Sequence, residues 1–94
     1  MSATSVRYQL TCTADDPQVP SRVLGIFAAR SLLPERYLCE RTGELVRIEV
    51  GVAAGDLASI DPGHLARVLQ RIVAVERVEL RIGGRRIDLE MEFP

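Results

Sequence analysis

The sequence contains no tryptophan and no lysine, and it has one histidine, two cysteines and four aromatic residues in 94. Each shortage excludes something. Without tryptophan, and with only two phenylalanines and two tyrosines, the core must be built from Val, Leu, Ile and Ala. A lone histidine, His64, has no Cys or second His beside it to share a metal, so it reads as a helix-start surface residue. Cys12 and Cys39 form no C-x-x-C pair and are too few for a disulfide framework, which points to a reduced, cytoplasmic protein. A net charge of −1 offers no general attraction to nucleic acid or to an anionic membrane. The all-arginine choice among its 12 basic residues reads as codon bias. No apolar run approaches the length of a membrane span, and "MSATS" lacks the charged-then-apolar order of a signal peptide.

What is present is enough for one small domain, 1–94, with a real hydrophobic core: 47% of the residues are hydrophobic. Residues 6–13, "VRYQLTCT", alternate strictly, with Val6, Tyr8, Leu10 and Cys12 on one face of a half-buried strand. Asp15, Asp16 and Pro17 break it. Val19, Val23, Ile26 and Phe27 then recur at helical spacing. Asp15 or Asp16 can cap this helix, and Pro34 places its end nearby. Residues 37–41 and 45–52 read as two strands joined at "TGE". Asp61 and Pro62 start a second helix with the stripe Leu65, Val68, Leu69, Ile72 and Val73, and Val78, Leu80 and Ile82 mark a fourth strand. The order β-α-β-β-α-β is the ferredoxin-like α+β arrangement. Right-handed crossovers then give the strand order fourth, first, third, second, with both helices on one face.

After Gly83–Gly84 the alternation resumes through Ile87, Leu89, Met91 and Phe93, predicting a fifth strand over 86–93 that covers the fourth. A two-residue loop would set Arg81 against Arg86 and Glu79 against Asp88. A four-residue loop pairs Ile82 with Ile87, Leu80 with Leu89 and Arg81 with Asp88, and charge favours it.

Chemistry-bearing patterns are scarce. Ser21 has no histidine placed to activate it, and no two carboxylates form an acid–base couple. The exposed face of the two central strands offers Arg7, Gln9, Thr11, Arg47 and Glu49, without the rings of an RNA-binding sheet. The "ADDPQ" loop after the first strand is acidic and would repel phosphate. The residues therefore predict neither catalysis, metal nor cofactor.

The stretch "DDPQVPSRVLGIFAARSLLPERY" resembles the opening of ACT domains, small amino-acid-sensing modules. It is most similar to that of the regulatory small subunit of acetolactate synthase, in which a polar turn leads into a helix carrying "SRV.G.F..R". Ser21, Arg22, Val23, Gly25, Phe27 and Arg30 occupy those places, and the resemblance covers about residues 6–82. It implies an amino-acid site at Asp15, Asp16, Gln18, Val19 and Leu33. Three of these depart from the family pattern. Gln18 stands where ligand-binding members have Gly, and Asp15 and Leu33 where they commonly have Asn. A carboxylate ligand would meet Asp15 as a repulsion and Leu33 as a non-donor, so the implied site is degenerate. The resemblance further implies a homodimer; the uncovered edge strand, Tyr37, Leu38, Cys39, Glu40 and Arg41, would pair with its twin. Arg22 and Arg30 on the first helix would touch a large catalytic subunit of acetolactate synthase. The alternative is a free-standing ACT module binding an amino acid or other small ligand at its dimer interface.

Overall fold

The computed structural model describes residues 5–89. The strands are β1 (Ser5–Thr13), β2 (Arg36–Thr42), β3 (Leu45–Ala53), β4 (Val75–Ile82) and β5 (Arg85–Ile87). The helices are α1 (Val19–Ala28), between β1 and β2, and α2 (Pro62–Gln70), between β3 and β4. All strands join one antiparallel sheet in the order β2-β3-β1-β4-β5, the arrangement expected from the crossovers with β5 added outside β4.

The period-2 pattern of β1 decides where the core lies. Val6, Tyr8, Leu10 and Cys12 are buried, as are Ile48, Val50 and Val52 of β3, and Leu80 of β4. Val19, Val23 and Phe27 of α1 and Leu65, Ala66 and Leu69 of α2 close over them. Tyr8 alone places both helices on the same face. Its ring meets Phe27 edge-on at 5.5 Å between centroids, and its hydroxyl donates to the Pro62 carbonyl at 3.0 Å. A second tyrosine repeats the device: the Tyr37 hydroxyl of β2 donates to the Pro20 carbonyl of α1 at 2.8 Å. Each helix start is thus tied to the sheet through the carbonyl of its first-turn proline.

α1 holds its whole apolar stripe, whereas α2 is shorter than its own. Pro34 does not end α1, which stops at Ala28. Ser31 takes a left-handed backbone (φ 59°). The N–H of Ser31 bonds the Ala28 carbonyl and that of Leu32 the Phe27 carbonyl, both at 3.0 Å, a Schellman closure that normally favours glycine at the left-handed position. Leu32, 4% exposed, is folded back into the core by this closure. The second stripe overreaches: α2 ends at Gln70, and Val73 is 96% exposed. The loop before α2 contains a 3-10 turn, Ala54–Leu57, that carries Leu57 into the core.

The β4–β5 hairpin corrects the expected register. Leu80 pairs with Ile87, Arg81 with Arg86 and Ile82 with Arg85, across the two-residue loop Gly83–Gly84. Both glycines have positive φ, 60° and 82°, the requirement of the tight turn whose twist suits a hairpin. Turn chemistry wins over charge here, because opposed arginines at a solvated surface repel by only about 1 kcal/mol at 4 Å in water. The strand is also shorter than 86–93. It ends at Ile87, Asp88 and Leu89 lie beyond it, and 90–93 fall outside the described residues.

Candidate functional site

The turn between β1 and α1 is built around Asp16. Its Oδ1 accepts the Gln18 N–H at 2.9 Å, and its backbone carbonyl accepts the Val19 N–H at 3.3 Å. Pro20, the next residue, has no N–H to offer. Asp16 is therefore a turn residue two positions before Gln18, the residue that immediately precedes the helix; no side chain caps that residue's position. Its other oxygen, Oδ2, lies 3.7 Å from Arg22 Nη1. The Gln18 N–H is thus taken by the Asp16 carboxylate and the Val19 N–H by the Asp16 carbonyl, so two donors at this helix start are satisfied by the chain itself.

The residues implied as a ligand site differ in exposure. Val19 is 1% exposed and belongs to the core. Asp15 and Gln18 face solvent. Leu33 is 83% exposed. Of the two helix arginines, Arg22 is half exposed, while Arg30 folds back and donates from Nη1 to the Ile26 carbonyl at 2.9 Å. Arg30 thus supports the end of its own helix.

β2 forms one border of the sheet. Leu38, Cys39, Glu40 and Arg41 are exposed and Tyr37 is half-buried. The two thiols differ sharply. Cys39 is exposed; Cys12 is buried, and burial first, with Cys39 and Glu76 adding, pushes its thiol up to about 11. At neutral pH Cys12 is a small hydrophobe rather than a nucleophile. Among the described residues no group of three His, Cys, Asp or Glu side chains comes together to hold a metal, and no helix is long and apolar enough to cross a membrane.

The concavities lie away from the turn. One, of about 370 Å³, sits on the helix-free face of the sheet over Gln9, Arg47 and Glu49. A second, of about 420 Å³, is lined by Ser5, Arg7, Gln9, Arg81 and Gly84. A third, of about 700 Å³, runs along β4 and β5. The sequence pattern marks Arg7 as outward-facing; it does not bring Arg7, Arg81 and Arg86 together, because that needs the hairpin register.

A four-stranded ferredoxin-like core with an acidic turn feeding its first helix defines a small α+β module of the ACT type. The family model described as ACT-like domain matches residues 1–86, and the chain belongs to that family. Among solved structures it is similar to the regulatory subunit of aspartate kinase from Thermus flavus, with 14% identity and a TM-score of 0.63. That match covers 85% of this chain and 52% of the other. It is also similar to a structure of aspartokinase alpha and beta subunits, with 13% identity and a TM-score of 0.62, covering 84% of this chain and 53% of that one. These likenesses are of fold, and the chain spans about half the length of the structures it matches. Comparison with curated proteins found no match.

Proposed function

We propose that the chain is a non-catalytic regulatory or stabilising subunit, similar to the small subunit of acetolactate synthase, and that it acts by contact with a catalytic partner in the cytoplasm. The observation that carries this reading is the occupied helix start. Asp16 holds the N–H groups of Gln18 and Val19 that an amino-acid carboxylate would use. A ligand would have to displace a tethered carboxylate and then sit beside Asp15 and Asp16. Valine, leucine and isoleucine should accordingly show no micromolar binding in calorimetry. Losing two charge-assisted hydrogen bonds, at roughly 1.5–3 kcal/mol each, removes orders of magnitude of affinity.

Contact remains as the route of action, and two surfaces favour it. The exposed β2 edge, with Leu38 46% exposed, suits pairing with a second copy to form a homodimer. The Tyr37–Pro20 bond sets the start of α1 against that strand, so such pairing would bring two α1 helices near each other. Leu24, 40% exposed on α1, and Arg22 beside it would then lie on the outer surface open to a larger partner.

The deciding experiment is reconstitution with the acetolactate synthase large subunit of the same cell. The chain should raise the activity or lifetime of that enzyme, and Arg22→Glu should weaken the effect without unfolding the domain. Arg22 is the variant of choice because Arg30 is engaged with its own helix. No binding at physiological salt defeats the acetolactate synthase assignment. An aspartate kinase catalytic subunit, suggested by the fold neighbours, is then the next partner to assay. Micromolar binding of an amino acid would instead favour the free-standing sensor.

A further inference from the structure

Side chains at paired positions of an antiparallel sheet point to the same face, so the register can be read as rows across the helix-free side. One row reads Arg36, Gly51, Arg7, Arg81, Arg86 from β2 to β5. Four of its five positions are arginine, in a chain whose net charge is −1. Neighbouring strands lie about 4.8 Å apart, so Arg7, Arg81 and Arg86 leave the sheet from adjacent positions spanning roughly 10 Å of backbone.

Two carboxylates near the row are already engaged with other arginines. Glu49 takes its short bond, 2.9 Å, from Arg36 Nε and stands 4.0 Å from Arg7. Glu79 is bonded to Arg77 at 2.9 Å. Among the described residues Arg81 and Arg86 have no ion-pair partner. Beside them lies the concavity of about 420 Å³ lined by Ser5, Arg7, Gln9, Arg81 and Gly84. Its floor is fixed, since the Gly83 N–H bonds the Ser5 carbonyl at 2.9 Å, and the space on the side-chain side of Gly84 is open.

We propose that this row, through Arg7, Arg81 and Arg86, binds the di- or triphosphate group of a small ligand. Planar guanidinium forks match phosphate oxygens two at a time. A single carboxylate would neutralise one of the three arginines and leave the other two opposed. Linked phosphates carry several charges on adjacent centres, at a spacing that neighbouring strands can share. The adjoining row limits the ligand's size. It carries Glu49, Gln9 and Glu79, so a nucleic-acid backbone running along the strands would leave the arginines and meet carboxylates. A compact polyphosphate lying across the strands meets only Glu49, at the Arg7 end of the row, where Arg36 already holds that carboxylate. The site is separate from the β1–α1 turn and stands or falls independently of the subunit reading.

The test is calorimetry on the whole chain in 150 mM salt without divalent metal, using pyrophosphate, tripolyphosphate, orthophosphate and a nucleoside triphosphate as probes. Pyrophosphate or tripolyphosphate should saturate one site per chain at least tenfold more tightly than orthophosphate. Arg81→Gln and Arg86→Gln should each weaken binding about tenfold. Arg85→Gln removes the same charge from the same short strand but from the opposite face, and it should change affinity less than twofold. A nucleoside triphosphate binding more tightly than tripolyphosphate identifies a nucleotide as the source of the phosphates; equal affinities identify a free polyphosphate. Absence of saturable binding overturns the proposal. So does equal affinity for orthophosphate, or an Arg85→Gln loss as large as that of Arg81→Gln, which would reduce the effect to general charge.

Discussion

Tyr8→Phe removes one oxygen from the centre of the fold and leaves the ring in place. The Tyr8 hydroxyl donates to the Pro62 carbonyl at 3.0 Å from a fully buried side chain, so water reaches the carbonyl only from the half-buried Pro62 side. The net loss for such a bond is about 1 kcal/mol, range 0.5–1.5. For a domain of this size 1 kcal/mol moves Tm by about 4–8 °C. Tyr37→Phe breaks the matching bond to Pro20, but at a half-buried position where water can serve the carbonyl, so its loss should be smaller. The same hydroxyl gives a pH signature. Burial, and then the negative charge of Asp61, hold the Tyr8 phenol well above its ordinary 10.0. The unfolded chain releases that proton near pH 10 while the folded chain retains it, so folding stability falls as pH rises past 10. Tyr8→Phe should show a shallower alkaline decline than the parent. Thermal melts from pH 7 to 11, read by far-UV circular dichroism, measure both effects. A Tyr8→Phe Tm within a degree of the parent's, or a larger loss for Tyr37→Phe, would refute the view that the buried bond anchors α2.

Ser31→Gly should raise Tm in the same melts, by about 3–6 °C for a mid-range net gain of about 0.75 kcal/mol. It relieves a left-handed backbone costing roughly 1–2 kcal/mol and gives back about 0.5–1 through glycine's greater chain entropy; a drop in Tm would mean that the Schellman closure does not set the end of α1. Thiol titration at pH 8 should give one fast equivalent, from Cys39, and a second only on unfolding, because Cys12 is buried and its pKa is raised from 9.0 to about 11. Since the unfolded chain loses the Cys12 proton first, that thiol also lowers stability between pH 9 and 11, and Cys12→Ala should remove that part of the decline.

Much of this fold was legible because its strands and helices obey simple periods. β1 shows it best, with Val6, Tyr8, Leu10 and Cys12 all buried as the alternation requires. With four strands and two helices in that order, crossover handedness gave the sheet order without further information. Boundaries were less legible, for reasons specific to each end. Val73 continues the apolar spacing of α2, but the chain has already left the helix at Gln70. At the end of α1, Ser31 adopts a backbone for which nothing in its side chain is a signal, whereas a glycine there would have been one.

The two candidate sites divide along the same line between local and non-local information. The turn at Asp15–Val19 is local, and its departures, Asp15 and Gln18, can be judged from residue types alone. The structure adds that the Asp16 carboxylate takes the Gln18 N–H and its carbonyl the Val19 N–H. The arginine row is non-local: Arg7, Arg81 and Arg86 come from three strands, and their alignment depends on whether Gly83–Gly84 forms a two-residue or a four-residue loop. Charge repulsion argued for the longer loop and against the alignment. The positive φ of both glycines carried the decision the other way, leaving the repulsion in the folded state. The Arg81–Arg86 pair that misled the register is the same one that extends the basic row and offers an anion a place to bind. The turn that fixes the alignment lies at the mouth of the concavity, through Gly84. A substitution that shifted the hairpin register, such as one placing a β-branched residue at Gly83, would therefore move Arg86 off the row, leave Arg7 and Arg81 paired, and weaken anion binding.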